Sequence, residues 1–146
     1  MRAVSKREHN AYQIHYHFVT PIKYRRAIFG QAEREQTLIQ ICREIEERYE
    51  IEFEEVGIDT NHVHYLLSAA PKYGPSQIIQ MIKSIVAREM FKAYPELRKE
   101  LWGGELWTDG FFVATVGEGG NRAVIQEYVA KQGRREEHEQ LKLFNF

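Results

Sequence analysis

At 146 residues, 43% hydrophobic and 28% charged, the chain has the size and composition of one globular domain with one core. No apolar run approaches the roughly 20 residues that span a bilayer, and residues 1–10 hold no apolar stretch of a secretory signal, so a membrane protein is not expected. A net charge of −1 excludes a globally basic nucleic-acid binder and leaves any DNA contact to local clusters.

In chain order, residues 12–20 alternate, with Tyr12, Ile14, Tyr16 and Phe18 on one face and Gln13, His15 and His17 on the other, which predicts a strand. Residues 30–50 place Leu38, Ile41, Cys42, Ile45 and Tyr49 at helical spacing between charges. The single cysteine, Cys42, falls on that apolar stripe and reads as a buried thiol. Residues 51–58 are a second strand, and Asp59, Thr60 and Asn61 supply turn chemistry before a third over residues 62–69. That strand sets His62, His64 and Leu66 on one face and Val63, Tyr65 and Leu67 on the other. A helix follows from Gly74-Pro75-Ser76, with Ser76 as expected N-cap and Ile78, Ile82, Ile85 and Val86 facing inward. It should stop at Tyr94-Pro95.

Residues 106–116 read as strand broken by a turn at Asp109-Gly110. Gly117, Gly119 and Gly120 mark a loop, and Asn121 caps a last helix running to about Gln132-Gly133. Beyond it lies a charged tail that turns apolar again over residues 141–146. The order strand, helix, strand, strand, helix, strands, helix belongs to the α+β class, an antiparallel sheet with helices packed on it, in a single domain over 1–146 with a tail from about 134.

His62-Val63-His64 presents two imidazoles two residues apart on one strand face, about 6.6 Å along the chain and able to converge on one cation. The tripeptide His15-Tyr16-His17 has the same spacing, and pattern alone does not choose between them. Tyr128 and Gln132 are four apart on the last helix and share a face. If that face meets a histidine strand, Gln132 can add an oxygen ligand and Tyr128 can act as a covalent nucleophile. Such an N,N,O set suits Mg²⁺ or Mn²⁺ better than structural zinc. Basic clusters at Lys23, Arg25 and Arg26, at Lys83, Arg88 and Lys92, and at Lys131, Arg134 and Arg135 are candidate phosphate contacts, although such clusters are ordinarily solvated faces. Tyr24, Trp107 and Phe111 are candidate stacking surfaces. The chain has no P-loop, G-x-S-x-G elbow, H-E-x-x-H or cysteine pair.

Five segments in order resemble the HUH single-tyrosine transposases of the small single-strand insertion sequences, where U is a hydrophobic residue. They are His17-Phe18-Val19-Thr20 with Lys23-Tyr24-Arg25-Arg26, the strand from Asn61 to Leu67, Ile82-Lys83-Ser84, the tryptophan segment from Leu106 to Gly117, and Tyr128-Val129-Ala130-Lys131-Gln132. Asn61 stands where an aspartate is frequent in that family, and Ser84-Ile85-Val86 replaces a small serine-rich stretch. The resemblance implies a ferredoxin-like HUH fold, a homodimer joined through its sheets, and His62, His64 and Gln132 as ligands of Mg²⁺ or Mn²⁺. His17 aligns with a residue that is not a ligand. It further implies Tyr128 as nucleophile and DNA contacts at Lys23, Tyr24, Arg25, Arg26, Lys83, Arg88 and Lys131. The partners would be single-stranded DNA hairpins at transposon ends, and the setting a prokaryotic, nucleoid-associated, cytoplasmic one with no membrane partner. Rival readings are a related HUH nuclease, a metal hydrolase that uses water, and a non-catalytic nucleic-acid module.

Overall fold

A computed structural model describes residues 14–116 with their side chains, and the backbone of Ser5–Arg7 (β1) and Asn10–Tyr12 (β2). Strands β1 and β2 pair with each other antiparallel. The main sheet is built from β3 (His15–Pro21), β4 (Ile51–Ile58), β5 (His62–Ala69) and β6 (Phe112–Val116), in the order β4-β5-β3-β6 with every described pairing antiparallel. Helices α1 (Ala32–Arg48) and α2 (Pro75–Ala93) and the short α3 (Leu97–Glu100) complete it. This is the expected α+β architecture of four antiparallel strands with helices packed on them.

Cross-strand register assigns the two faces. His15, His17, Val19 and Pro21 stand opposite Ser68, Leu66, His64 and His62, so these eight share one side. Tyr16, Phe18, Val63, Tyr65 and Leu67 take the other side and join Leu38, Ile41, Ile45, Ile78, Ile82 and Val86 in the hydrophobic core. The helices therefore pack on the side away from the histidines. Both central strands are buried along their whole length, which is why residues 62–69 contain so few charged groups.

Several expectations need correction. The first long strand starts at His15 rather than residue 12, and Asn10–Tyr12 belongs to a separate two-stranded ribbon. Helix α1 runs from Ala32 to Arg48, shorter than 30–50. The N-cap of α2 is Gly74, not Ser76: Pro75 occupies the first helical turn, where its missing N–H costs no bond, and Gln77 Oε1 accepts from the Gly74 N–H at 3.4 Å. Ile85 is only partly buried. The stretch 106–116 is strand material broken at Asp109-Gly110, as expected, but only Phe112–Val116 forms a full strand. Trp107 bridges Ile22, and Phe112–Val116 continues along the same neighbour β3. Asp109 and Gly110 bulge out between the two pieces, with Gly110 at φ 81.

Candidate metal and strand-cleavage site

β5 delivers His62 and His64 to one side of the sheet, with ring centroids 5.0 Å apart and both residues fully buried. Each imidazole is oriented by a neighbour. His62 Nδ1 lies 2.8 Å from Asn61 Oδ1; an amide oxygen is an acceptor, so the His62 Nδ1–H donates, which in the neutral ring leaves Nε2 as the ligating nitrogen. Asn61 thus supplies the acceptor that an aspartate would supply at that position. His64 Nδ1 lies 2.9 Å from His17 Nε2 on β3, and the two rings stack with centroids 5.2 Å apart.

Burial keeps the His17 and His64 rings neutral. Burial lowers the His17 pKa to about 4, and burial, then the neighbouring His17 and His62, hold His64 well below the ordinary histidine value. Neutral imidazole is the ligating form. The Asp59 carboxylate reaches only to 3.9 Å from His62 Nε2. Among the described residues no group of three or more His, Cys, Asp or Glu side chains is placed to hold a metal ion. The two buried imidazoles of His62 and His64 fit the nitrogen part of a divalent-metal donor set.

The two tripeptides fare differently. His15 turns to Glu54, with Nδ1 2.6 Å from Oε1, while His17 joins His64. The rival pair is therefore split between two tasks. Tyr128, Lys131 and Gln132 lie outside the described residues, so the expected tyrosine and third ligand are not placed here.

The expected DNA contacts separate as well. Lys23, Tyr24, Arg25 and Arg26 leave the sheet just after Pro21, with Tyr24 and Arg25 exposed. Lys83 instead ties down the tryptophan segment: its Nζ donates to the Thr108 and Gly110 carbonyls at 3.2 and 3.1 Å, and its own carbonyl accepts from Trp107 Nε1 at 2.9 Å. Burial lowers the Lys83 pKa. Arg88 lies on the exposed side of α2 beside Glu89, 3.3 Å away. Of the three aromatic candidates, Trp107 is in the core at 7% exposure and Phe111 packs edge-on against Phe18; Tyr24 alone is exposed.

Sequence reasoning missed three residues. His17 was readable as a strand histidine, but only register puts it beside His64. Trp102 carried no signal. Arg34 interrupts no apolar pattern, yet it is 4% exposed and grips Glu100 through both Nη atoms at 3.1 and 2.8 Å.

The family model described as "Transposase IS200 like" matches residues 10–132. The ISDra2 transposase TnpA of Deinococcus radiodurans is 37% identical over 125 residues, covering 86% of this chain and 88% of that protein. The transposase for insertion sequence element IS200 of Salmonella typhimurium is 29% identical over 124 residues, covering 85% and 80%. A crystal structure of a transposase from Deinococcus radiodurans R1 matches with a TM-score of 0.69 at 32% identity, covering 88% of this chain and 97% of that one. A REP-associated tyrosine transposase bound to a REP hairpin matches at TM-score 0.59 and 10% identity, covering 86% and 69%, and shares the fold.

Proposed function

The chain belongs to the IS200-like transposases, the HUH single-tyrosine family, and we propose that it cleaves and rejoins single-stranded DNA at transposon ends through a 5′-phosphotyrosine on Tyr128. The observation that carries this reading is the buried pair of histidines on β5, each oriented by a hydrogen-bond partner. His62 and His64, with Gln132, would hold a divalent ion, Mg²⁺ or Mn²⁺. An ion held there would supply polarisation of the scissile phosphate and offset charge developing on its oxygens.

The chain's own residues do the rest. The Tyr128 Oη attacks phosphorus, the phosphate is transferred to tyrosine, and the 3′-oxygen leaves and takes up a proton. Phenol has a pKa near 10, so its proton must be lost as the P–O bond forms. The phosphotyrosine conserves the bond energy, and a free 3′-OH later attacks it to rejoin strands without a nucleotide cofactor. Lys23, Arg25, Arg26, Arg88 and Lys131 would contact phosphates. The substrates would be hairpin-bearing ends, and two copies would join through their sheets, with β4 and β6 at the edges of the described sheet. The single domain spans 1–146 in this reading, and the protein works at the nucleoid. No helix among the described residues is long and apolar enough to cross a membrane.

The test incubates the protein with labelled single-stranded DNA from its genomic flanks and Mn²⁺. A covalent DNA–protein adduct is expected, and it should vanish in Tyr128→Phe and in His64→Ala. Cleavage that persists in Tyr128→Phe would assign the reaction to water instead.

A further inference from the structure

Among the described residues, the two most exposed large hydrophobic side chains stand next to each other although they are far apart in sequence. Tyr24 is 58% and Trp102 69% exposed, and their ring centroids are 5.4 Å apart at an interplanar angle of 49°. Cations surround them. The Arg26 guanidinium lies over the Trp102 ring, 4.2 Å from its centroid, and Lys23 Nζ lies 5.5 Å from the Tyr24 centroid.

The mount is rigid. Arg26 Nε donates to the Glu100 carbonyl at 2.8 Å, and the Glu100 carboxylate is held by Arg34 from α1. Lys23 is held 2.8 Å from Glu105. The backbone is equally specific. Tyr24 (φ 57), Arg25 (φ 54) and Trp102 (φ 56) are the only non-glycine residues with positive φ among the described residues, and L side chains disfavour that region. Among the described residues, every non-glycine residue with left-handed backbone is gathered at this one patch. This conformation does not serve burial, since both rings point to solvent. Trp102 takes it at the end of α3, where the Gly103 N–H donates to the Arg98 carbonyl. Tyr24 and Arg25 take it in the tight turn closed by the Arg26 N–H on the Lys23 carbonyl, so two turns set the rings side by side in the open.

We propose that Tyr24 and Trp102 form a stacking platform for unpaired bases of single-stranded DNA, with Arg25 and Arg26 supplying positive charge for the adjoining phosphates. Any base offers a π-face to such rings, so the contact is tolerant of sequence, while bases in a duplex are already stacked on one another. The alternative occupant, a second copy of this chain, fits less well: two rings fall far short of the roughly 1,000 Å² that a stable interface needs. Placement agrees with the chemistry. Pro21 stands opposite His62, and Tyr24 follows three residues later, at most about 11 Å along the chain. The platform is thus anchored a short length of chain from the strand end that faces His62. This inference rests on the reading of the chain as a single-strand DNA transposase.

The two tryptophans make the test direct, because Trp107 is buried at 7% exposure and Trp102 is open. The full chain is titrated with an unstructured thymidine oligonucleotide of about twelve nucleotides, following tryptophan emission and anisotropy of the labelled DNA. Quenching is expected with the single strand, absent with a duplex of the same length, and absent in Trp102→Ala, where only Trp107 emits. Trp102→Ala and Tyr24→Ala should each weaken binding roughly 5- to 150-fold, and Trp102→Phe should restore most of it. Both sites are exposed, and unchanged thermal unfolding confirms that the variants fold. If the wild type binds and forms the Tyr128 adduct while emission and the affinity of Trp102→Ala are unchanged, the platform is wrong and the cleavage reading survives. If the wild type neither binds single strands nor forms the adduct, both fail. If Trp102→Ala instead converts a sedimenting dimer to monomer with DNA affinity intact, the patch is a self-association surface and the platform is overturned.

Discussion

His17 Nε2 lies 2.9 Å from His64 Nδ1, bridging β3 and β5 with both residues fully buried. The bond has two possible directions, and only one leaves His64 able to ligate through Nε2: His64 Nδ1–H must donate and His17 Nε2 accept. A second partner that fixes the tautomer of a ligating histidine typically changes metal affinity by about 10- to 100-fold when removed. Nitrogen-15 NMR of the metal-free protein should therefore find His64 protonated at Nδ1. Calorimetry with Mn²⁺ should find affinity reduced by about that factor in His17→Phe, and less reduced in His17→Gln, which keeps an acceptor. Equal affinity in both variants would remove His17 from the metal site.

Arg34 should be the costliest charged residue on α1 to lose. Its Nη1 also donates to the Ile28 carbonyl at 2.9 Å, so Arg34→Leu strands a carbonyl and a carboxylate together. Glu100 is 40% exposed and recovers water, which discounts the loss to about 2–3 kcal/mol. Thermal unfolding should fall by roughly 5–10 °C. Arg34 also holds the Glu100 carboxyl below its ordinary pKa. A depressed carboxylate adds stability above its unfolded pKa and loses it as pH falls through the folded value. The acid limb of the stability profile should therefore be shallower in Arg34→Leu than in the wild type.

Cys42 should be silent to thiol reagents in the native protein. Burial, with a smaller push from Glu46, raises its pKa to about 12, and the thiolate is the reactive form. At pH 8 the thiol should react only in denaturant. The raised pKa also adds stability that is complete below the unfolded value of 9.0 and is lost as pH climbs through about 12, so Cys42→Ala should be less sensitive to alkaline unfolding.

Lys83→Met should loosen the tryptophan segment, because two carbonyls lose a charged donor. A loss of about 1–2 kcal/mol is expected, together with altered emission from Trp107. The salt dependence of single-strand binding should not change. A slope reduced by about one would show that Lys83 meets a phosphate as well.

Much of this protein was legible in its residues because local periodicity is local physics. The limits of β4 and β5 follow from runs of alternating side chains bounded by turn chemistry, and α2 ends where Tyr94 precedes proline. The pairing of His62 with His64 follows from the two-residue period of a strand. Tertiary structure decided what spacing cannot. His15 and His17 share the same spacing as His62 and His64, yet cross-strand register sends one to Glu54 and the other to His64. Tyr24 and Trp102 meet only because the chain leaving β3 and the chain leaving α3 are brought together through Arg26 and Glu100. That His62 and His64 share one strand face was thus determined by sequence. The neutral form of His64, its bonded partner on β3 and the exposed aromatic patch depend on burial and on contacts between residues far apart in the chain, and no local pattern encodes those.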